Sequence, residues 1–252
     1  MKVLLLDVGN SRIKWGMFDG DVIRQIGHVT QSAIRDKGLA ALTTKLPRTV
    51  ETVFACNVAG ASMATRLSGV LGMQFDCDVH FARSEKHACG VTNGYRQPRR
   101  LGVDRWVALI GARALCQTSS VVVDAGTAVT IDVLDDDGQH LGGQILPGFN
   151  LMANALATHT SDIANSGKRI GSGAEGLEIF AKNTAGAVAQ GAASAIVGAI
   201  ERACTVLRQD GYDPTIILTG GDAPHLHRLL EDESIHRPNL VLDGLAAIRV
   251  HK

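Results

Sequence analysis

The chain has 252 residues, of which 45% are hydrophobic and only 4% aromatic, so its core must be built from Ala, Val, Leu and Ile, and its length suits two compact domains. Lys plus Arg equals Asp plus Glu at 25 each, which leaves no basic footprint for a nucleic acid. The five cysteines are odd in number and scattered, without a Cys-x-x-Cys, which argues against a disulfide framework and for a reducing compartment.

The first half opens with three expected strands, Lys2–Leu6, Ile13–Phe18 and Val22–Val29, joined by turns at Gly9-Asn10 and Asp19-Gly20. A helix over Ser32–Lys45, a strand at Val53–Cys56, a helix at Ser62–Leu71 and a strand at Val79–Ala82 follow. Arg83–Arg100 is a long loop rich in Gly, Asn, Pro and Arg, and so either functional or mobile. Gly102–Gln117 reads as a helix with Val103, Val107, Ile110 and Ala114 on its apolar face.

The second half restarts the pattern with strands at Ser120–Val123, Val129–Leu134 and His140–Ile145. Helices are expected at Asn150–Ala157, Glu175–Asn183, Thr184–Asp210 and Pro224–Leu230, with strands at Thr215–Leu218 and Leu240–Leu242. The domain boundary falls at Gln117–Ser120, which gives domains of 1–117 and 118–252. Ala185–Ile200 is nearly uncharged but mostly Ala and Gly, whereas a membrane helix wants about 20 strongly apolar residues. It is expected in a packed helix or subunit interface, not in a membrane. Met1-Lys2 runs straight into a short β-like segment, too short for a signal-peptide apolar region, and the expected location is cytoplasmic.

One short motif occurs twice. Val3–Leu6 runs into Asp7-Val8-Gly9-Asn10, and Val121–Val123 runs into Asp124-Ala125-Gly126-Thr127. Asp, Gly and the following polar residue recur at one constant interval, so whole domains repeat. Three strands followed by alternating helices and strands, done twice, give an α/β fold class: two duplicated ribonuclease-H-like domains with a cleft between them. Acetate and sugar kinases, heat-shock chaperone ATPases and actin share that architecture.

A buried strand that ends in Asp and Gly brings a carboxylate and bare backbone to one spot, as a metal–phosphate group requires. Asp7 and Asp124 suit hard cations such as Mg²⁺, which keeps most of its waters. Gly9, Asn10 and Ser11 offer donors to phosphate oxygens, and Lys14 offers a point charge. Gly102-Val103-Asp104-Arg105 stands at a helix start. Its Asp can accept a hydroxyl proton, and its Arg can clamp a carboxylate bidentately. The imidazoles of His225 and His227 fall on different helix faces, which speaks against a metal site there.

These stretches together resemble a type III pantothenate kinase. The matching segments are Asp7-Val8-Gly9-Asn10-Ser11-Arg12-Ile13-Lys14, Gly102-Val103-Asp104-Arg105, Asp124-Ala125-Gly126-Thr127-Ala128, Gly143-Gln144-Ile145-Leu146-Pro147-Gly148, Asn183-Thr184 and Thr219-Gly220-Gly221-Asp222. The resemblance covers nearly the whole chain, in order. It implies ATP-dependent phosphorylation of pantothenate to 4'-phosphopantothenate, the first step of coenzyme A synthesis. Asp104 would be the base for the primary hydroxyl. Tyr95, Gly102, Val103, Asp104 and Arg105 would contact pantothenate. Asp7, Val8, Gly9, Asn10, Ser11, Arg12, Ile13 and Lys14, with Thr127, would bind ATP. Asp7 would serve Mg²⁺ through phosphate or water, and Asp124 would hold a monovalent cation, K⁺ or NH₄⁺. Thr184 would reach pantothenate from the neighbouring subunit of a homodimer. The alternative from another class is a non-catalytic regulatory or accessory protein that retains the kinase fold.

Overall fold

The computed structural model describes residues 2–159 and 179–251. The chain divides into two compact units, residues 1–115 with 239–252, and residues 116–238.

The first unit contains β1 (Val3–Val8), β2 (Arg12–Phe18), β3 (Ile23–Thr30), α1 (Gln31–Lys37), α2 (Ala40–Thr43), β4 (Thr52–Asn57), α3 (Ala61–Phe75) and β5 (Val79–Phe81). A hairpin of β6 (His87–Ala88) and β7 (Val91–Thr92), a 3₁₀ turn (Pro98–Arg100) and α4 (Val103–Leu115) follow. The second unit contains β8 (Ser120–Ala125), β9 (Ala128–Leu134), β10 (His140–Pro147), α5 (Phe149–His159), α6 (Thr184–Gln209), β11 (Thr215–Thr219), α7 (Ala223–Leu229) and β12 (Ser234–His236). The last helix, α8 (Leu240–Val250), returns to the first unit.

Each unit is built on a five-stranded sheet with the same order, β3-β2-β1-β4-β5 and β10-β9-β8-β11-β12. In each, the first three strands pair antiparallel, and the fourth and fifth run parallel to the first. This is the duplicated ribonuclease-H-like architecture. The central strands are buried on both faces and read as continuous apolar runs, Val3-Leu4-Leu5-Leu6 and Val121-Val122-Val123. Alternation then sorts their side chains. Leu4, Leu6 and Val8 join Met63, Leu67 and Leu71 of α3 in one core cluster. Val121, Val123 and Ala125 join Ile196, Ile200 and Cys204 of α6 in another.

Several expectations change. The run Leu240-Val241-Leu242 opens a helix, not a strand. That helix packs on α4, so residues 239–252 are counted with the first unit although a boundary at Gln117–Ser120 placed them in the second domain. Ser32–Lys45 breaks into two short helices, because Gly38 (φ 65°) ends the first. Of the expected helix over 175–183, residues 175–178 lie outside the described residues, and 179–183 are not helical.

The crossing of α4 and α8 depends on two glycines. A Cβ on Gly244 would strike the Val107 carbonyl, and one on Gly111 would strike the Leu240 carbonyl. Gly16 sits under the same helix: a Cβ there would meet a methyl of Leu242 at 3.4 Å and collide with Ile23 at 2.6 Å. Burial on α4 is accordingly continuous from Arg105 to Ala112 instead of following one stripe, and Ala114 is exposed. Gly244→Ala is expected to destabilise the protein by about 1–3 kcal/mol through overpacking, read as a lower urea midpoint at an unchanged slope. An unaltered midpoint would show that the helices can move apart freely.

Candidate active site

Asp7 and Lys14 are direct cross-strand partners on β1 and β2. Leu5 and Gly16 form the next pair on the same face, beneath Leu242 of α8. Alternation therefore places Asp7 and Lys14 on the side of the sheet that carries α4 and α8. The turn between the strands is closed by Gly9 N–H donating to the Arg12 carbonyl at 3.0 Å. It is also held from outside. Gln31 donates its side-chain amide to the Gly9 carbonyl at 2.8 Å and its backbone N–H to the Ser11 carbonyl at 2.9 Å. Gln31 is buried, and sequence reasoning gave it no role. Asn10, Ser11 and Arg12 project from this fixed turn and are exposed.

The equivalent turn of the second unit is packed more tightly. Gly126 N–H donates to the Ala128 carbonyl at 3.0 Å, and Gly148 N–H donates to the Thr127 carbonyl at 2.9 Å. A Cβ on Gly148 would overlap the Gly126 carbonyl. Gly220 (φ 94°) presses on the Ala125 carbonyl, and its missing Cβ would lie 2.5 Å from an Asp124 carboxylate oxygen. Asp222 N–H donates to the Ala125 carbonyl at 2.9 Å. Three separate motifs thus converge at the ends of β8 and β11 in a cradle that side chains would fill. The register differs chemically from that of the first unit. Asp124 has Thr130 on one flanking strand and Thr219 on the other, where Asp7 has Lys14 and Cys56. A carboxylate between two threonines is an oxygen-rich setting of the kind hard cations take. Among the described residues, no group of three or more His, Cys, Asp or Glu side chains could hold a metal. His225 packs edge-on to Phe149 (ring centroids 5.2 Å apart), while His227 bonds Ser234 at 2.7 Å. Burial holds the His225 pKa below its usual value.

The third cluster surrounds the head of α4. Asp104 lies in the first turn, where the helix dipole favours a carboxylate. Its Oδ1 accepts the Arg105 N–H at 2.8 Å. A Cβ on residue 102 would lie 2.7 Å from that same oxygen, which explains glycine there. Arg105 is only 7% exposed. Its Nη1 donates to the Tyr95 hydroxyl at 3.0 Å, and its guanidinium carbon sits 5.7 Å from the Tyr95 ring centre. The structure therefore brings Tyr95, Gly102, Asp104 and Arg105 together.

Tyr95 belongs to the loop between β5 and α4, which is ordered by its own polar groups. Ser84 Oγ donates to the Leu101 carbonyl at 2.8 Å. Asn93, fully buried, bonds both limbs of the loop. Like Gln31, Asn93 was missed: beside Gly94 it reads as an ordinary turn residue, and nothing in the sequence marks it as buried.

Thr184 begins α6 and is exposed, behind an Asn183 cap whose side chain accepts the Gly186 N–H at 2.8 Å. One face of α6 buries Ala192, Ala193, Ile196 and Ile200, while Ala187, Gly191, Ala195 and Gly198 remain exposed. Just before the helix, Ile179 and Phe180 are 67% and 85% exposed. No helix among the described residues is long and apolar enough to cross a membrane.

Comparison with known proteins agrees with this geometry. Residues 3–206 match the family model described as type III pantothenate kinase. The type III pantothenate kinase of Azoarcus sp. (strain BH72) is 42% identical over 248 residues, covering 98% of this chain and 90% of that protein. The one from Aromatoleum aromaticum is 41% identical over 251 residues, covering 98% and 97%. Among solved structures, a Campylobacter jejuni protein assigned to the Baf family of transcriptional activators is 22% identical, with a TM-score of 0.61 and coverage of 97% and 96%. At that identity the likeness speaks for the fold alone. With its family model matched across most of its length and full-length relatives at this identity, the chain belongs to the type III pantothenate kinase family.

Proposed function

We propose that the protein transfers the γ-phosphoryl group of ATP to the primary hydroxyl of pantothenate, with Asp104 as the base. The observation that carries this reading is the buried Arg105, pinned by Tyr95 beside Asp104. Pantothenate is a carboxylate with a reactive hydroxyl, and this cluster pairs an anion clamp with a proton acceptor. Because Arg105 is already oriented, little freedom is lost when it binds the carboxylate. Asp104 accepts the hydroxyl proton as the oxygen attacks the γ-phosphorus. The bond to the β–γ bridging oxygen breaks, and ADP leaves. Gly102 and Val103 contact the substrate through their backbone.

On the ATP side, the turn Asp7–Lys14 is the candidate phosphate binder of the first unit and Thr127 that of the second. The fixed donors of the Gly9–Ser11 turn and the Lys14 cation suit phosphate oxygens. The glycines at 148 and 220 leave backbone bare for close approach. Mg²⁺, when bound, neutralises charge on the transferring group. Asp7 serves it through phosphate or water, which fits a lone carboxylate better than an all-protein cage. Asp124, flanked by Thr130 and Thr219, would hold the monovalent cation.

A coupled assay of ADP release with and without pantothenate tests the reaction itself. Asp104→Asn should lower kcat by on the order of 10²-fold or more in a folded protein, since an amide keeps the shape but cannot take the proton. Near-normal turnover would remove Asp104 from the base role.

Activity should also require K⁺ or NH₄⁺ in addition to Mg²⁺, and collapse when Na⁺ or Li⁺ is the only monovalent cation. Equal rates in all four salts would count against the role given to Asp124.

The exposed small-residue face of α6, with Ile179 and Phe180 beside it, supports a homodimer whose pantothenate site receives Thr184 from the partner. Co-expressed Asp104→Asn and Thr184→Ala subunits should then regain activity, because one site of each heterodimer carries neither lesion. Confirmed heterodimers no more active than the two parents would sink the shared site.

A further inference from the structure

Asn93 is 0% exposed, and every polar group it owns is engaged. Its side-chain amide donates to the Glu85 carbonyl at 3.1 Å and to the Pro98 carbonyl at 3.2 Å. Its Oδ1 accepts the backbone N–H of Tyr95 at 3.0 Å. Its own N–H donates to the Lys86 carbonyl at 2.9 Å, and its carbonyl accepts Lys86 Nζ at 2.8 Å. One side chain thus ties the outgoing limb of the loop at residue 85 to the returning limb at residue 98. The same side chain fixes the backbone of the residue whose hydroxyl holds Arg105. Beyond this tie, the limbs are joined by the strand pairing of His87–Ala88 with Val91–Thr92 and by the Ser84 Oγ bond to the Leu101 carbonyl.

We infer that Asn93 is a positioning residue for substrate: it sets Tyr95, and through Tyr95 the Arg105 guanidinium, so that the carboxylate clamp exists before pantothenate arrives. This rests on the reading of Arg105 as that clamp. A buried amide with all its hydrogen bonds satisfied specifies one arrangement, because any shift leaves a buried donor or acceptor without its partner. The loop is then part of the binding site, not a linker to α4. The chain of contact runs from Asn93 to the Tyr95 backbone, and from the Tyr95 hydroxyl to Arg105. Asn93 touches neither the reacting oxygen nor the phosphates, so its effect should fall on pantothenate alone.

Three variants test this in the full-length enzyme. Asn93→Ala removes the tie. Lys86→Met keeps the aliphatic stem and removes only the ammonium that reaches the Asn93 carbonyl. Tyr95→Phe removes the hydroxyl that holds Arg105. The wild type is assayed first: no ADP release with pantothenate would overturn the kinase reading, not the Asn93 role. With activity established, Asn93→Ala should raise the KM for pantothenate roughly ten- to hundred-fold, since a misplacement near 1 Å has consequences of that size. The KM for ATP should stay where it is. Lys86→Met should move the pantothenate KM in the same direction by less. In the double variant, Tyr95→Phe should add little to Asn93→Ala, because both act on one chain of contact. Additive effects, or KM values for the two substrates that rise together, would overturn the inference. So would a fall in kcat alone with loss of thermal stability, the mark of a purely structural residue. Should Asn93→Ala not fold, an unchanged pantothenate KM in soluble Lys86→Met overturns it equally.

Discussion

Burial of Arg105 is the constraint on which the arrangement at the head of α4 depends. Arg105 is 7% exposed, and taking a guanidinium out of water costs several kcal/mol unless other groups replace that water. Tyr95 supplies one such group through its hydroxyl and another through its ring face. Tyr95 in turn is placed by Asn93, whose hydrogen bonds tie together the two limbs of the loop ahead of α4. The long irregular segment between β5 and α4 thus carries both Tyr95, which meets Arg105, and the buried Asn93, which joins its two limbs.

The two strand-end carboxylates stand in different chemical settings. Asp7 and Asp124 occupy equivalent places in sheets of identical order. Across the hairpin, Asp7 meets Lys14, whereas Asp124 meets Thr130. Across the parallel strand, Asp7 meets Cys56 and Asp124 meets Thr219. Lys14 puts a cationic residue on the strand beside Asp7. Thr130 and Thr219 instead place hydroxyl-bearing residues on both strands beside Asp124. Register thus gives two turns of equivalent position different chemical neighbours.

Much of this was legible in the sequence for a physical reason. A central strand buried on both faces must be a short apolar run, and the Asp-x-Gly that ends it breaks that run sharply. The duplication of the domain followed from finding that signal twice. Leu240-Val241-Leu242 misled because three apolar residues carry no period, and here they begin a helix buried on almost every side. β12, Ser234–His236, went unread because a short edge strand of mixed polarity has no such run. Gln31 and Asn93 were invisible for a different reason. The sequence tells that a residue is polar, and polar residues are usually outside. Nothing local distinguishes an amide that faces water from one that satisfies a turn beneath the surface.

The glycines carry the remaining part of the argument, and they divide by function. Gly111 and Gly244 let α4 and α8 touch through their backbones, which attaches the end of the chain to the first unit. Gly148 and Gly220 allow the same close approach at the β8–β9 turn. In the first pair, loss of glycine is a packing defect that a small helix shift can partly relieve. In the second, the neighbouring atoms are the carbonyls of the Asp124 turn itself, so any relief displaces the carboxylate. Loss of glycine is therefore a helix-packing defect at the first pair and a displacement of the Asp124 turn at the second.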